Sequence, residues 1–131
     1  MTFEHVFADL GGIPADRLTD PQALSGLLLS AANAAGLNPA GPPTVLTGPQ
    51  GVTAVLVCHG GHVALHAAPA SAGRGEGVLC FADVAGVAAA QPQRGLDVII
   101  KRLGALQVRT DTRRRGPVLP SSNPMRSEEA S

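Results

Sequence analysis

Residues 52–67 constrain the fold more than any other part of the chain, because two apolar runs meet there at a pair of glycines. Both runs are rich in β-branched residues. Gly60 and Gly61 can take the positive φ angles that a two-residue hairpin turn requires. The stretch therefore predicts a β-hairpin with its turn at the glycine pair and with His59 opposite His62.

Alternation along this hairpin predicts two faces of different chemistry, since successive side chains of a strand point to opposite sides. One face is uniformly apolar and should lie on a core; it consists of Ala54, Leu56, Cys58, Val63, Leu65 and Ala67. The other face should stay more accessible and holds three of the 4 histidines; it consists of His59, His62 and His66 with Val55, Val57 and Ala64.

Composition limits the classes of protein to which the chain can belong. With 131 residues, 44% hydrophobic and 15% charged, it predicts one folded domain with a core of small aliphatic side chains. Its formal net charge of zero provides no field to recruit nucleic acid or an anionic membrane, so neither is an expected partner. Cys58 and Cys80 have no CxxC spacing, and there is no signal peptide or long apolar span. A cytoplasmic protein is therefore expected, and the abundance of Ala, Gly, Pro and Arg suggests a bacterial genome.

Hydrophobic periodicity predicts the order of the elements. Asp20 and Pro21 begin a helix that Gly36 ends, and a second amphipathic helix runs from Pro92 to Leu103. The predicted order is β-α-β-β-β-β-α-β, an α+β two-layer sandwich with a mainly antiparallel sheet and both helices on one face. Residues 1–116 should form this domain. Residues 117–131, rich in Pro, Ser and charge, should be a disordered tail.

Four segments of the chain together carry a resemblance to a known family. They are the opening strand His5–Gly12 (HVFADLGG), the stretch His62–Pro69 (HVALHAAP), the helix from Gln91-Pro92 to Leu103, and Arg115-Gly116. These segments resemble the short bacterial S-adenosylmethionine decarboxylase proenzymes, which make the aminopropyl donor for spermidine, and the resemblance covers residues 4–116. No single segment is specific, but their order and spacing together match the family.

The chain departs from that family at the residues that make the cofactor. In the family a Glu-Ser pair just before the first His is cut by the protein itself, and the Ser becomes a pyruvoyl group that holds the substrate amine. Gly60 and Gly61 stand at those positions. Without a hydroxyl, Gly61 offers no nucleophile, so no pyruvoyl cofactor is expected. His66 matches the family's processing His, a role that is empty without the Ser.

The resemblance leaves two candidates for the family's catalytic Cys, namely Cys80 and Asp83. They lie on opposite faces of one predicted strand, so only one can point into a site. For an amine or adenosyl ligand, the expected binding residues are Phe7, His62, His66 and Asp83. The pocket should nevertheless be weakened, since alanines replace two family residues, Ala68 at a position often aromatic and Ala70 at a Glu.

His59, His62 and His66, with His5 nearby, could instead bind zinc or another divalent metal through imidazole nitrogens. The alternative is that His62 and His66 are inherited from the decarboxylase scaffold and that His59 is a solvated turn residue.

Three functions remain open. The chain is a pseudoenzyme or binding subunit of polyamine metabolism, or an enzyme with altered, pyruvoyl-independent chemistry, or a domain that shares only the fold. The apolar residues on the open face, together with the resemblance, favour a homodimer. An active decarboxylase paralogue is a further candidate partner.

Overall fold

The computed structural model describes residues 2–69 and 78–118. Ala70 and nearly all of the predicted disordered tail, residues 119–131, lie outside the described residues. The elements in chain order are β1 (Phe3–Ile13), a 3₁₀ helix (Ala15–Leu18), α1 (Pro21–Ala35), β2 (Asn38–Pro39), β3 (Thr44–Gly48), β4 (Gly51–His59), β5 (Gly61–Ala67), β6 (Val78–Val87), α2 (Pro92–Leu103) and β7 (Gln107–Arg115).

These strands form one antiparallel sheet in the order β2-β4-β5-β6-β1-β7, and β3 pairs with β4 beside β2. The helices lie together on one face, where α1 packs on β4 and β5 and α2 packs on β1 and β6. The predicted α+β two-layer sandwich is confirmed. The two-residue strand β2 is an addition to the predicted order of elements.

The helix boundaries follow the predicted signals. The Asp20 side chain accepts a hydrogen bond from the Gln22 N–H at 3.0 Å, and Gly36 ends α1 with φ of 73°. The two helices approach each other closely at Gly95, where a Cβ would lie 2.7 Å from the Ala31 carbonyl oxygen. Neither helix within residues 2–69 and 78–118 has the length and apolar character needed to cross a membrane.

The hairpin forms as predicted, but its register differs by two residues. Cys58 pairs with Gly61 and Val57 pairs with His62, so the predicted pairing of His59 with His62 is wrong. The physical reason is that only Gly60 takes a positive φ, at 75°, while Gly61 is an extended strand residue paired with Gly86. Because the side-chain period is two, this shift leaves every residue on its predicted face.

The predicted core face is confirmed. Its members are all at most 6% exposed; they are Ala54, Leu56, Cys58, Val63, Leu65 and Ala67. They join the apolar sides of both helices and the alternate residues of β1 and β6 in one hydrophobic cluster. The other face of the sheet, called the open face below, has no helix on it among the described residues and carries the odd-numbered residues of β4, of β6 and of β1 as far as Asp9, together with the even-numbered residues of β5.

Candidate functional site on the open face

The open face brings together three titratable side chains from three strands: His5 of β1, His62 of β5 and Asp83 of β6. Strand β6 lies between the other two, and both histidines pair in register with the same residue, Ala85. Asp83 lies two residues away on the same face, so its carboxylate reaches both imidazoles. His5 Nε2 is 3.5 Å from Asp83 Oδ2, and His62 Nε2 is 3.3 Å from Asp83 Oδ1. These three residues are called the His-His-Asp cluster.

The contacts within the cluster set its charge. Burial would raise the pKa of Asp83, but the two imidazoles outweigh it, and the pKa of that carboxyl is lowered. The Asp83 carboxylate in turn raises the pKa of His62, although partial burial of the imidazole opposes this. Asp83 is therefore an anion at neutral pH, and His62 accepts a proton more readily than an isolated histidine.

A pocket of about 460 Å³ opens beside the cluster on the same face. The pocket includes predicted ligand-binding residues Phe7, His66 and Asp83; its full lining is His5, Phe7, Ala8, Asp9, Thr53, Ala64, Leu65, His66, Phe81, Ala82 and Asp83. The rings of Phe7 and His5 meet edge to face, with centroids 5.5 Å apart. His66 Nδ1 and Thr53 Oγ1 are 2.7 Å apart, which fixes the His66 ring at the pocket wall.

The choice between Cys80 and Asp83 is decided by burial. Cys80 faces the helices with no exposed surface, and burial raises the pKa of its thiol to about 12. A thiol with that pKa in an apolar core is neither a nucleophile nor an acid for a ligand outside the core. Asp83, not Cys80, faces the pocket.

The proposed three-histidine metal site does not form as expected. His62 belongs to the His-His-Asp cluster, whereas His66 pairs with Thr53 and His59 is exposed at the end of the hairpin. The reason is the register of the sheet: His62 pairs with Ala85 of β6, whereas His66 pairs with Thr53 of β4 and with Phe81 of β6, four residues further along β5. His59 fits the alternative interpretation of a solvated turn residue.

The residues at the family's cleavage position lie in a tightly packed turn. A Cβ on Gly61 would lie 2.2 Å from the Ala85 carbonyl oxygen and 2.9 Å from Leu37 Cδ2. The Gly60 carbonyl accepts a hydrogen bond from the Val87 N–H at 2.9 Å. The turn is therefore built around the absence of a side chain at residue 61.

Sequence reasoning gave His5 only a nearby role and missed Phe81, Asp9 and Thr53 as pocket residues. The sequence pattern could have identified His5, Asp9 and Phe81. His5 and Asp9 alternate with the core residues of β1, and Phe81 alternates with those of β6. Thr53 could not be found without the correct hairpin register, which pairs it with His66.

Comparisons with known proteins agree with this fold. The family model described as S-adenosylmethionine decarboxylase matches residues 4–116. The crystal structure of the adenosylmethionine decarboxylase from Aquifex aeolicus is similar, with a TM-score of 0.72 and 25% sequence identity over 92% of this chain and 96% of that chain. No curated protein matches the chain. The family model covers most of the 131 residues, and the chain belongs to the S-adenosylmethionine decarboxylase family.

Proposed function

We propose that this chain is a non-processing S-adenosylmethionine decarboxylase-like protein, a cytoplasmic pseudoenzyme or regulatory subunit linked to polyamine (spermidine) biosynthesis. The observation that carries the proposal is the Gly60-Gly61 pair at the position where the family's proenzymes cut themselves. The fold and a pocket remain, but the residue that would become the pyruvoyl group has no side chain.

The packing around the pair strengthens this proposal. Self-cleavage of this type needs a side-chain oxygen that attacks the preceding carbonyl carbon, and Gly61 has none. The preceding carbonyl, that of Gly60, is held in the sheet by its hydrogen bond with Val87. The space for a Cβ at residue 61 is filled by backbone atoms of β6. Loss of processing thus involves the shape of the turn as well as one missing hydroxyl.

The pocket supports binding of a small amine or an adenosyl ligand. Asp83 supplies an anion that can attract a ligand ammonium group, because its pKa is lowered. Phe7 and Phe81 line the same pocket and offer aromatic surface on which a planar ring can stack. Ligand capture without decarboxylation is the function that these groups favour.

The open face also supports a homodimer. Val57, Leu79 and Phe81 are 63%, 47% and 48% exposed on this face, and exposed apolar surface of this kind favours an interaction with another chain. A second copy of this chain, or an active decarboxylase paralogue with the same fold, would cover them. Two-fold pairing places two pockets at or near one interface.

The second candidate function is an enzyme whose chemistry does not use pyruvoyl. The observation that favours it is the His-His-Asp cluster, because imidazoles and a carboxylate at the edge of a pocket can move protons or hold a metal ion.

Two measurements on the purified chain test the proposed function and separate it from the second candidate. We expect S-adenosylmethionine or a polyamine to bind in calorimetry, and no carbon dioxide to be released from S-adenosylmethionine. Asp83→Asn should weaken binding, whereas the control Asp9→Asn removes a carboxylate of the same pocket that already pairs with Arg109. Carbon dioxide release that borohydride abolishes would reveal a carbonyl cofactor and contradict the proposal. Release that borohydride leaves unchanged would favour the second candidate.

A further inference from the structure

The polar atoms of the His-His-Asp cluster make fewer hydrogen bonds than they are able to form. Two of its atoms, His5 Nε2 and Asp83 Oδ1, are buried and, within residues 2–69 and 78–118, make only the ion-pair contacts of 3.5 Å and 3.3 Å and no hydrogen bond of good geometry. Buried polar atoms in native proteins almost always have a partner, so such atoms require an explanation. Both point into the cluster, where an additional bound species would satisfy them.

The distances between the imidazole nitrogens and the carboxylate oxygens are close to those between neighbouring ligands of a metal ion. Zinc lies about 2.0–2.1 Å from imidazole nitrogen and about 2.0–2.2 Å from carboxylate oxygen, so tetrahedral geometry separates neighbouring donors by about 3.3–3.5 Å. The two observed separations end on the two oxygens of one carboxylate: His5 Nε2 is 3.5 Å from Asp83 Oδ2, and His62 Nε2 is 3.3 Å from Asp83 Oδ1. One donor atom from each of the three residues lies within 4.8 Å of the other two.

We propose that His5, His62 and Asp83 form a binding site for one divalent transition-metal ion. Two imidazole nitrogens and one carboxylate oxygen favour Zn²⁺, Fe²⁺ or Co²⁺ over Mg²⁺ and Ca²⁺, which prefer oxygen ligands. The ligands come from three neighbouring strands of one sheet, so the backbone holds them in place without a loop. Three protein ligands leave at least one coordination position free.

The free position lies toward the pocket, since His5 and Asp83 both line it. A nitrogen or oxygen donor of a pocket ligand could therefore complete the coordination sphere. An amino acid-like ligand, which carries both an amine and a carboxylate, suits such a site. The metal site is independent of the missing self-cleavage, so either claim can fail without the other.

The test is calorimetric titration of the chelator-treated full chain with Zn²⁺. We expect one equivalent to bind, and we expect His62→Gln and Asp83→Asn each to weaken binding by at least about tenfold, because loss of even an outer-shell partner costs about 10–100-fold. Two matched controls should stay within about twofold: His59→Gln, which removes an exposed histidine of the same hairpin, and Asp16→Asn, which removes an exposed carboxylate of the 3₁₀ helix outside the pocket. Circular dichroism checks that each variant is folded.

Co²⁺ supplies a second readout, because its visible absorption bands report the coordination geometry. Tetrahedral-type bands in the wild-type chain that His5→Gln abolishes would support the assignment. Absence of one-equivalent binding for both Zn²⁺ and Co²⁺ would overturn it. Loss of affinity in His59→Gln equal to that in His62→Gln would also overturn it, because the ion would then lie at the end of the hairpin.

Discussion

The two faces of the sheet share the same strands but have opposite chemistry. The face under the helices is aliphatic, and no polar or charged residue is classed as buried in the described part of the chain. The open face carries the His-His-Asp cluster, with side chains from 22% to 39% exposed. Stability and site chemistry are thus assigned to alternate residues of the same strands, so neighbouring substitutions should produce different kinds of effect.

The largest expected effect comes from adding a side chain at Gly61, beside the turn between β4 and β5. Gly61→Ser places a Cβ against the Ala85 carbonyl, and rotation of a side chain cannot relieve a clash with backbone. We expect a loss of about 3 kcal/mol or more in the free energy of unfolding, at the upper end for overpacking. Gly41→Ser is the control, since nothing lies within 4 Å of a Cβ there. Equal urea midpoints for the two variants would contradict the close packing at Gly61.

A pair of valines on adjacent strands compares the faces directly. Val63 is fully buried under the helices, whereas Val57 is 63% exposed on the open face. Val63→Ala should cost about 2 kcal/mol, because it removes two buried methyl groups and leaves a cavity. Val57→Ala should change stability by less than about 0.5 kcal/mol. Urea unfolding of the two variants measures both changes. Similar losses in the free energy of unfolding would mean either that the open face is also covered in the isolated chain or that the core is loosely packed.

Self-association should depend on the open face and not on the helix layer. Phe81→Ala should weaken the proposed homodimer by about tenfold, equivalent to about 1.4 kcal/mol, because buried aromatics dominate interface energies. Leu29→Ala is the matched control, since Leu29 is an exposed apolar residue of α1 on the opposite side of the molecule. Light scattering over a concentration series gives the dissociation constants. A monomeric wild-type chain at micromolar concentration would remove the dimer from the proposal.

The smallest expected effect is the pH dependence that Asp83 gives to stability in metal-free protein. Because the pKa of His62 is raised, this histidine stabilises the fold below about pH 6.5. That stabilisation is lost as the pH rises through the pKa of His62 in the folded protein. Because the pKa of Asp83 is lowered, this carboxylate stabilises the fold above about pH 4. That stabilisation is lost as the pH falls through the pKa of Asp83 in the folded protein. The contribution is therefore greatest between about pH 4 and 6.5.

Urea unfolding in the presence of chelator tests this window. Between about pH 4 and 6.5, Asp83→Asn should lower the free energy of unfolding by no more than about 1 kcal/mol, because His62 and Asp83 are partly exposed and solvent screens the pair. This loss should become smaller at higher pH. The control is Asp16→Asn, an exposed acid in the 3₁₀ helix. If the difference in the free energy of unfolding between Asp83→Asn and wild type stays constant with pH, His62 and Asp83 do not titrate as described.

The sequence predicted the faces well because alternation and caps are local. The core side of the hairpin, the helix ends at Gly36 and Leu103, and the opposite orientations of Cys80 and Asp83 all follow from residues close in the chain. The His-His-Asp cluster could not be predicted as a set. Its members depend on which strands become neighbours, and that is decided by packing between residues far apart in sequence.

The hairpin register was missed for a related reason. Two adjacent glycines fit a turn equally well at either of two positions, and the contact of Gly61 with Ala85 and Leu37 selects one. That contact involves β6 and Leu37, the second residue after α1, and the local sequence pattern cannot place these two elements beside the turn. The same contact now supports the proposed loss of processing.

The central claim is that the chain does not cut itself, and denaturing mass spectrometry of the purified protein tests it most directly. The account predicts a single polypeptide near 13.2 kDa, because Gly61 has no side-chain oxygen to attack the Gly60 carbonyl. Two fragments that divide between Gly60 and Gly61, the second blocked at its amino end by a ketone, would contradict it.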